Sequence, residues 1–273
     1  MEAWLIVLLI GTGVVSGFIN TLAGGGSMLT LPVLMITGMP ADVANGTNRL
    51  AVLAQSATGA VEFDRAGRLD RGAWLDVLGP TVLGAAIRAL AAAIMPVAVL
   101  KPVLLSTMIV IAGLMVVNPS FMQPRPEETP NQGWAGLAAL FAAGLYGGFI
   151  QAGVGFILLA ALSGVMQYDL ARGNALKTLC TGIFSLVALV IFAWQGQVAW
   201  VAGLVLAVGS AIGAFISVKV SLNLSGRALK TILFIMVSLT CSSSFSGLVS
   251  SNRKFVEPPN SAARPKFRQI ALA

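Results

Sequence analysis

Long apolar runs alternate with short polar interruptions along almost the whole chain. The runs occupy residues 4–19, 74–95, 99–117, 134–150, 176–194, 198–218 and 229–249. As helices rising about 1.5 Å per residue, each is roughly long enough to cross about 30 Å of hydrocarbon. The pattern predicts an all-α polytopic membrane protein with roughly eight spans, or up to about ten if short apolar segments also count.

Two shorter apolar segments each follow a glycine-rich interruption. The sequence NTLAGGGSML at residues 20–29 leads into the first, at 27–38, and QAGVG at 151–155 leads into the second, at 156–166. A helix of either length reaches only about 18 Å. We therefore predict two broken helices, each too short to span the bilayer unaided.

Composition agrees with a membrane protein. Hydrophobic residues make up 57% of the 273 residues, charged residues make up 10%, and the mean hydropathy is +0.88. The net charge of +7 comes mostly from residues between the runs, so bilayer orientation explains it better than nucleic acid, which we do not expect as a partner. Because there is no histidine, and Cys180 and Cys241 form no CxxC pair, we expect no cofactor and no metal. No positive charge precedes the first run, which predicts a retained helix rather than a signal peptide.

The chain also resembles itself at an offset of 129 residues. Six positions match in order: Gly24 with Gly153, Gly26 with Gly155, Phe63 with Phe192, Gly67 with Gly196, Gly84 with Gly213 and Lys101 with Lys230. This predicts two homologous halves, residues 1–117 and 134–249, joined by a polar, proline-rich linker at 118–133. From about Leu239 the resemblance stops, so we expect a disordered tail at 250–273 and hypothesise an altered C-terminus, for instance through a frameshift.

The orientation of the halves depends on whether each short segment crosses the membrane. If both cross, each half has five crossings and the halves are inverted; if neither crosses, the halves are parallel with four. Five crossings gather most basic residues on one face: Arg65, Arg68, Arg71, Arg125, Arg172, Lys177, Lys219, Arg227 and Lys230. The other face then holds Arg49 and Lys101 before the tail, so the positive-inside rule favours inverted repeats.

Paired, glycine-interrupted segments in two halves point to the central site of a transporter. A helix that begins after glycines presents unpaired amides and a partial positive charge, which together can hold an anion. The predicted substrate site contains Asn20, Thr21, Gly24, Gly25, Gly26, Ser27, Gln151, Gly153 and Gly155. The alternative is that the glycines only allow close helix packing.

A polar turn after each short segment could extend this site. Its candidates are Asn45, Thr47, Asn48 and Arg49 in the first half, and Asn174, Lys177 and Thr178 in the second. The alternative is helix capping, which we expect of Asp42 and Asp169. Further along, Gln55, Ser56, Thr58, Thr181 and Ser185 could line a route or bond back to their own helix. Arg88 lies deep in a long run, where it is either functional or extends toward the nearer interface.

The stretches GFINTLAGGGSMLTLPVLMITGMPADVANGTNRLAVLAQSATG, GLYGGFIQAGVGFILLAAL and GNALKTL resemble the sulfite exporter TauE/SafE family, over residues 5 to 238. The resemblance implies a bacterial inner-membrane protein that moves sulfur-containing anions such as sulfite or organosulfonates. Two features depart from the family pattern. Family members usually end in another complete apolar helix, which the tail of this chain does not resemble, so we expect the last helix to be incomplete. Arg88 also stands where a small or apolar residue is expected.

These observations predict a secondary transporter that exports a small sulfur-containing oxyanion by alternating access. Its partners are the anionic substrate and the lipid bilayer, and the oligomeric state stays open. The alternatives are uptake of a similar anion and a non-transporting membrane scaffold. An intramembrane enzyme would need a nucleophile with its base or paired cysteines; the sequence contains no such pattern, so we predict that the protein is not an enzyme.

Overall fold

The computed structural model describes residues 2–100, 102, 103, 106 and 133–223. Eight α-helices have both ends within the described ranges, residues 97–100 are helical as well, and no strand occurs in these ranges. The eight are α1 (Ala3–Leu22), α2 (Ser27–Ile36), α3 (Ala41–Arg65), α4 (Trp74–Ala93), α5 (Trp134–Phe149), α6 (Val154–Leu159), α7 (Leu170–Trp194) and α8 (Trp200–Asn223). A 3₁₀ turn at Arg71–Ala73 precedes α4, and α6 continues as a π-helical segment, Ala160–Val165.

Four helices of the described part are long and apolar enough to cross a membrane: α1, α4 with its 3₁₀ turn, α7 and α8. The shorter apolar helices are α2, α5 and the segment Val154–Val165. The chain is therefore a helical membrane protein. The predicted spans at 99–117 and 229–249, the linker and the tail fall wholly or almost wholly outside the described residues.

Both predicted helix breaks are present. The first separates Leu22 from Ser27, and the second separates Phe149 from Val154. Gly24 has a φ of 103° and Gly153 a φ of 77°, backbone conformations that glycine adopts at little cost and other residues rarely adopt. The breaks are thus built into the backbone by the glycines at these two positions.

The helix predicted to follow the first polar turn is α3, which begins at Ala41. The turn itself centres on Gly38, whose φ is 95°, with Pro40 at the N-cap of the helix. Residues 45, 47, 48 and 49 lie within the first turns of a 25-residue helix. Arg49 and Lys177, which the five-crossing arrangement counts on opposite faces, are both buried within helices rather than in loops.

One of the two predicted caps is present. The Asp169 carboxylate accepts hydrogen bonds from the amides of Ala171 and Arg172, at 3.0 Å and 3.1 Å. Asp42 instead lies inside α3, where Pro40 is the N-cap and no side-chain cap bond forms. The chain enters α3 one residue earlier than the aspartate, so its carboxylate is not positioned to cap.

Small residues let two helix pairs pack backbone against backbone. In the α1–α8 pair, Ile10 faces Gly209, Val14 faces Gly213, and the Ser217 hydroxyl donates to the Phe18 carbonyl at 2.9 Å. In the α4–α5 pair, Thr81 faces Gly144 and Ala85 faces Gly148. Because residue numbers rise together in both pairs, the two helices of each pair run parallel. The glycines on these surfaces do pack closely, as the alternative interpretation expects.

The central helices α3 and α7 run antiparallel. Gly46 faces Phe192, Ser56 faces Gly182 and Gly59 faces Thr178, so residue numbers rise on one helix as they fall on the other. Together these two helices carry about half of the buried polar residues of the described chain. This pair forms the axis around which the candidate site is built.

The short segments fold back along the helices that precede them. Gly147 near the end of α5 contacts Val154, and Gly136 near its start contacts Met166, just after the π-helical segment. In the first half, Gly26 lies against Ser16, one and a half turns before the end of α1. Each break therefore reverses the direction of the chain.

Every residue with a positive φ in the described ranges belongs to a pair 129 positions apart. The pairs are Gly24 with Gly153, Gly38 with Gln167, and Gly67 with Gly196. Two of these pairs belong to the series of sequence matches, and the third does not, because glutamine replaces glycine there. The local backbone thus repeats at the same offset as the sequence.

Candidate anion-binding site

A seam of buried polar side chains runs between α3 and α7, and we call it the polar seam. Its members recur at helical spacing on the facing sides of the two helices, and each is at most 3% exposed. They are Asn45, Asn48, Arg49, Gln55 and Ser56 on α3, and Asn174, Lys177, Thr178, Thr181 and Ser185 on α7. Buried polar groups need partners, and those of the seam come largely from the two helix breaks.

The guanidinium of Arg49 binds the C-terminal end of α5. It donates to the carbonyl oxygens of Gly147 at 2.7 Å and Gly148 at 3.1 Å, and to Oε1 of Gln151 at 2.5 Å. Its Cζ also lies 5.6 Å from the centre of the Phe192 ring. The side chain is completely buried. A cation at a helix C-terminus is favourable because the final carbonyls carry partial negative charge.

Lys177 makes the corresponding contact with the first half. Its Nζ donates to the carbonyl oxygens of Asn20 at 3.0 Å and Thr21 at 2.9 Å, at the C-terminal end of α1. Its side chain is only 2% exposed. Each half therefore supplies a buried cation to the helix end just before the glycine break of the other half.

Neither cation has a carboxylate within ion-pair distance among the described residues. The ion pairs found there join Arg65 to Glu62, Arg71 to Asp64 and Arg172 to Asp169, all near helix ends. A charge inside the bilayer costs about 3 kcal/mol even on lenient scales. Carbonyl contacts offset part of that cost but add no negative unit charge, so no acidic side chain of the described residues neutralises either cation.

The two glycine breaks touch each other. A Cβ added to Gly24 would overlap the backbone of Gly155, and a Cβ on Gly155 would overlap Gly24. A Cβ on Gly25 would lie 2.5 Å from the Phe156 ring. The two breaks, which the sequence pairs across the repeat, therefore meet in space.

The amides at the start of the short helices are partly occupied. In α2, Met28 and Leu29 donate to the carbonyls of Gly25 and Gly26, at 3.0 Å and 2.9 Å. In α6, Phe156 donates to Gly153 at 3.1 Å. Since fewer amides are free than four per helix N-terminus, the side-chain cations become the stronger positive groups at these breaks.

A small hydrogen-bond network ties α2 to α3. The Thr30 hydroxyl donates to Oδ1 of Asn48 at 2.6 Å, and Nδ2 of Asn48 donates to Ser27 Oγ at 3.1 Å. Next to it, Nδ2 of Asn45 donates to the Phe149 carbonyl at 3.3 Å. Ser27 and Asn48 were predicted from the sequence, whereas Thr30 was missed, although it lies one turn after Ser27 and so on the same helix face.

Several buried polar atoms at the site have no hydrogen-bond partner among the described residues. The potential donors are Nε of Arg49, Nε2 of Gln151 and the hydroxyl of Thr21. Oδ1 of Asn45 and Oδ1 of Asn174 are the corresponding acceptors. Because a buried unpaired polar atom costs about 1–3 kcal/mol, the unpartnered donors beside these cations are available to a ligand with hydrogen-bond acceptors.

The predicted route residues divide between the two interpretations. Thr58 donates to Ala54 at 2.9 Å and Thr181 to Lys177 at 2.8 Å, so both bond back to their own helix. Ser185 instead donates to Oε1 of Gln151 at 3.3 Å. Arg88 is exposed on α4, with its Cζ 5.0 Å from the centre of the Phe149 ring, and lies outside the polar seam.

Comparison with known proteins agrees with this architecture. The family model described as sulfite exporter TauE/SafE matches residues 9–243. The chain belongs to the TauE/SafE family.

Named relatives of this TauE/SafE chain are transporters. A probable membrane transporter protein of Haemophilus influenzae is 27% identical over 85% of this chain and 91% of its own length. The probable membrane transporter proteins ORF9 of Sinorhizobium and YfcA of Escherichia coli are 26% and 28% identical, over 85% of this chain and 89% and 86% of their own lengths. No solved structure matches the chain. Family and relatives together indicate a multi-pass membrane transporter with a small substrate.

Proposed function

We propose that this protein is a secondary transporter of the bacterial inner membrane that exports a small sulfur-containing oxyanion, sulfite or an organosulfonate. The observation that carries the proposal is the pair of buried cations, Arg49 and Lys177, which have no carboxylate partner in the described ranges. An interior with two uncompensated positive charges suits an anion as cargo. The family name supplies the sulfur chemistry.

The magnitude of the attraction favours this site over simple surface binding. A monovalent anion 4 Å from one cation gains about 1 kcal/mol in water, but about 4 kcal/mol at the effective dielectric typical of protein interiors. An oxyanion also has several acceptor oxygens, which can satisfy the unpartnered donors of Arg49 and Gln151. A halide has the charge but lacks separate acceptor atoms at oxygen spacing.

We propose further that the chain consists of two inverted repeats that move against each other during alternating access. Support comes from the helix directions, since α1 runs parallel to α8, α5 runs parallel to α4, and the central pair α3 and α7 is antiparallel. Thr47 contacts Ala199 and Leu50 contacts Gly203, so α8 also runs parallel to α3. The last carbonyl of α4 accepts a hydrogen bond from Gln197, just after the end of α7, so α4 and α7 end at the same level. Together these directions make α1 antiparallel to its counterpart α5. The paired positive φ values at an offset of 129 residues support the same duplication.

Alternating access would act on contacts that cross between the halves. Arg49 reaches α5 and Lys177 reaches α1, so any movement of one half against the other changes both cation contacts. An arriving anion would compete with the helix carbonyls for the same donors. This links substrate binding to the geometry that must change during transport.

The test is a flux assay with the purified protein in liposomes. Sulfite, methanesulfonate, sulfate and acetate are compared, with and without a pH gradient, and efflux is compared with uptake. We expect flux of sulfite or the sulfonate, and its loss in Gly25→Leu and Gly153→Leu with membrane insertion intact. Gly11→Leu is the matched control, because no atom lies within 4 Å of a Cβ built there. The proposal would be refuted if the protein gave no flux of any of the four anions, or if flux were unchanged in both site variants.

A further inference from the structure

The two buried cations lie at different depths of the polar seam. Arg49 lies on α3 itself. Lys177 lies on α7 next to Thr178, which faces Gly59 on α3, so Lys177 is near the level of Gly59. Thr21, whose carbonyl binds Lys177, also lies beside Gly59. Gly59 is ten residues beyond Arg49, which corresponds to about 15 Å along a helix. One small oxyanion, only a few ångströms across, cannot contact both cations at this spacing.

The meeting point of the glycine breaks lies between these depths. Thr21, before the first break, contacts α3 at Gly59, and Ser27, after it, contacts α3 at Asn48. Gly24 stands between them in the chain and touches the backbone of Gly155. The contact leaves no room for even a methyl group, so the two breaks are closely packed against each other.

The surroundings of the two cations differ in chemistry. Arg49 has a side-chain amide, Gln151, and beyond it the hydroxyl of Ser185, within one hydrogen-bonded group. Lys177 has backbone carbonyls and the unpartnered hydroxyl of Thr21. In each group a donor stays unpartnered in the described chain: Nε of Arg49 and Nε2 of Gln151 in one, the Thr21 hydroxyl in the other.

We infer that the transporter has two separate oxyanion-binding stations, one at Arg49 and one at Lys177, with the Gly24–Gly155 contact as the barrier between them. The inference rests on the proposed transport function and adds its internal route. An anion binds at one station, the breaks separate as the halves move, and the anion passes along the seam to the other station. Gln55 and Ser56, both buried, lie on the α3 side of that passage.

The charge distribution assigns each station to a face. Arg65 and Arg71 lie at the end of α3 nearer to Lys177, and Arg172 lies at the corresponding end of the antiparallel α7. Basic residues mark the cytoplasmic face. The Lys177 station therefore loads from the cytoplasm, and the Arg49 station opens to the outside.

The experiment measures radiolabelled sulfite flux into vesicles of both orientations, inside-out and right-side-out, so that each face is presented in turn. We expect Lys177→Gln to raise the half-saturating sulfite concentration at the cytoplasmic face about tenfold or more, with less than about a twofold change at the outer face. Arg49→Gln should give the opposite pattern. Arg88→Gln is the matched control, since it removes a cation from a membrane helix outside the seam, and should change neither face.

The conservative variants Arg49→Lys and Lys177→Arg keep the experiment decisive if a glutamine variant does not fold. Each retains the charge but changes the donor geometry, and should shift affinity on the same face by a smaller factor. If either pair of variants shifted the half-saturating sulfite concentration equally at both faces, the proposal of two stations would be wrong, but the proposed transport function would not be contradicted. Absence of flux in the wild-type protein, for sulfite and the other anions alike, would instead overturn the transport function.

Discussion

The contact between the glycine breaks predicts that Gly24→Ala is unusually damaging for a one-carbon change. Two costs add at this position. The φ of 103° is strained for any residue with a Cβ, at about 1–3 kcal/mol. The Cβ would also overlap the Gly155 backbone, and backbone cannot swing aside as a side chain can, so overpacking adds about 1–3 kcal/mol.

Two matched variants separate these costs. Gly67 has a φ of 66° but no atom within 4 Å of the position that a Cβ would take, so Gly67→Ala carries the backbone strain alone. For Gly25, whose φ is not in the positive range, a Cβ meets only the Phe156 ring, at 2.5 Å, so Gly25→Ala carries only a side-chain overlap. The expected order of destabilisation is Gly24→Ala at about 2–6 kcal/mol, and each control at about 1–3 kcal/mol.

Unfolding of the detergent-solubilised protein by increasing SDS, followed by helical circular dichroism, gives the required free energies. Thermal loss of monodispersity provides a second readout if unfolding is not reversible. The reasoning is refuted if Gly24→Ala unfolds at the same point as Gly67→Ala, because the overlap with Gly155 would then cost nothing. It is also refuted if adding Gly155→Ala to Gly24→Ala makes a purely additive change, since the two Cβ atoms compete for the same space.

Two further predictions concern packing and capping in the same unfolding assay. Gly17→Ala should destabilise the protein by about 1–3 kcal/mol, because its Cβ would overlap the Ser210 carbonyl. Gly11→Ala, with open space around its Cβ, should instead stabilise α1 by up to about 1 kcal/mol. Equal effects of the two substitutions would contradict the close packing of α1 on α8. Asp169→Ala should destabilise the protein by about 0.5–2 kcal/mol, because α7 loses its N-terminal cap. Asp42→Ala should destabilise it less, because Asp42 caps no helix. A larger loss of stability for Asp42→Ala than for Asp169→Ala would contradict the assigned N-terminus of α3.

Predictions from the sequence were most accurate where a residue pattern had only one physical explanation. Runs of apolar residues predicted α1, α4 and α8 within a few residues, because hydrocarbon thickness fixes both length and composition. The glycines at 24 and 153 predicted both breaks, and the positive φ at each gives the reason. Asp169 also caps as expected, because its spacing before an apolar run leaves few alternatives.

Polar residues within a helix were harder to interpret. For Asn45 to Arg49 the sequence left open whether they extend the site or cap a helix, and they lie in the first turns of α3, where Asn45 and Asn48 bond to other parts of the chain. The choice between these roles depends on the partner surface, which no local pattern specifies. The direct role of Thr30, the backbone partners of Lys177 and the contact of Gly24 with Gly155 likewise arise only from tertiary packing.

The central claim is that Arg49 and Lys177 hold an anion in transit. The most direct test is sulfite counterflow, in which liposomes loaded with unlabelled sulfite accumulate labelled sulfite only if the anion binds and returns through the protein. Transient accumulation is expected from the wild-type protein and from Arg88→Gln, and none from the double variant Arg49→Gln with Lys177→Gln at equal insertion and monodispersity. Accumulation by the double variant at the wild-type rate would contradict the claim.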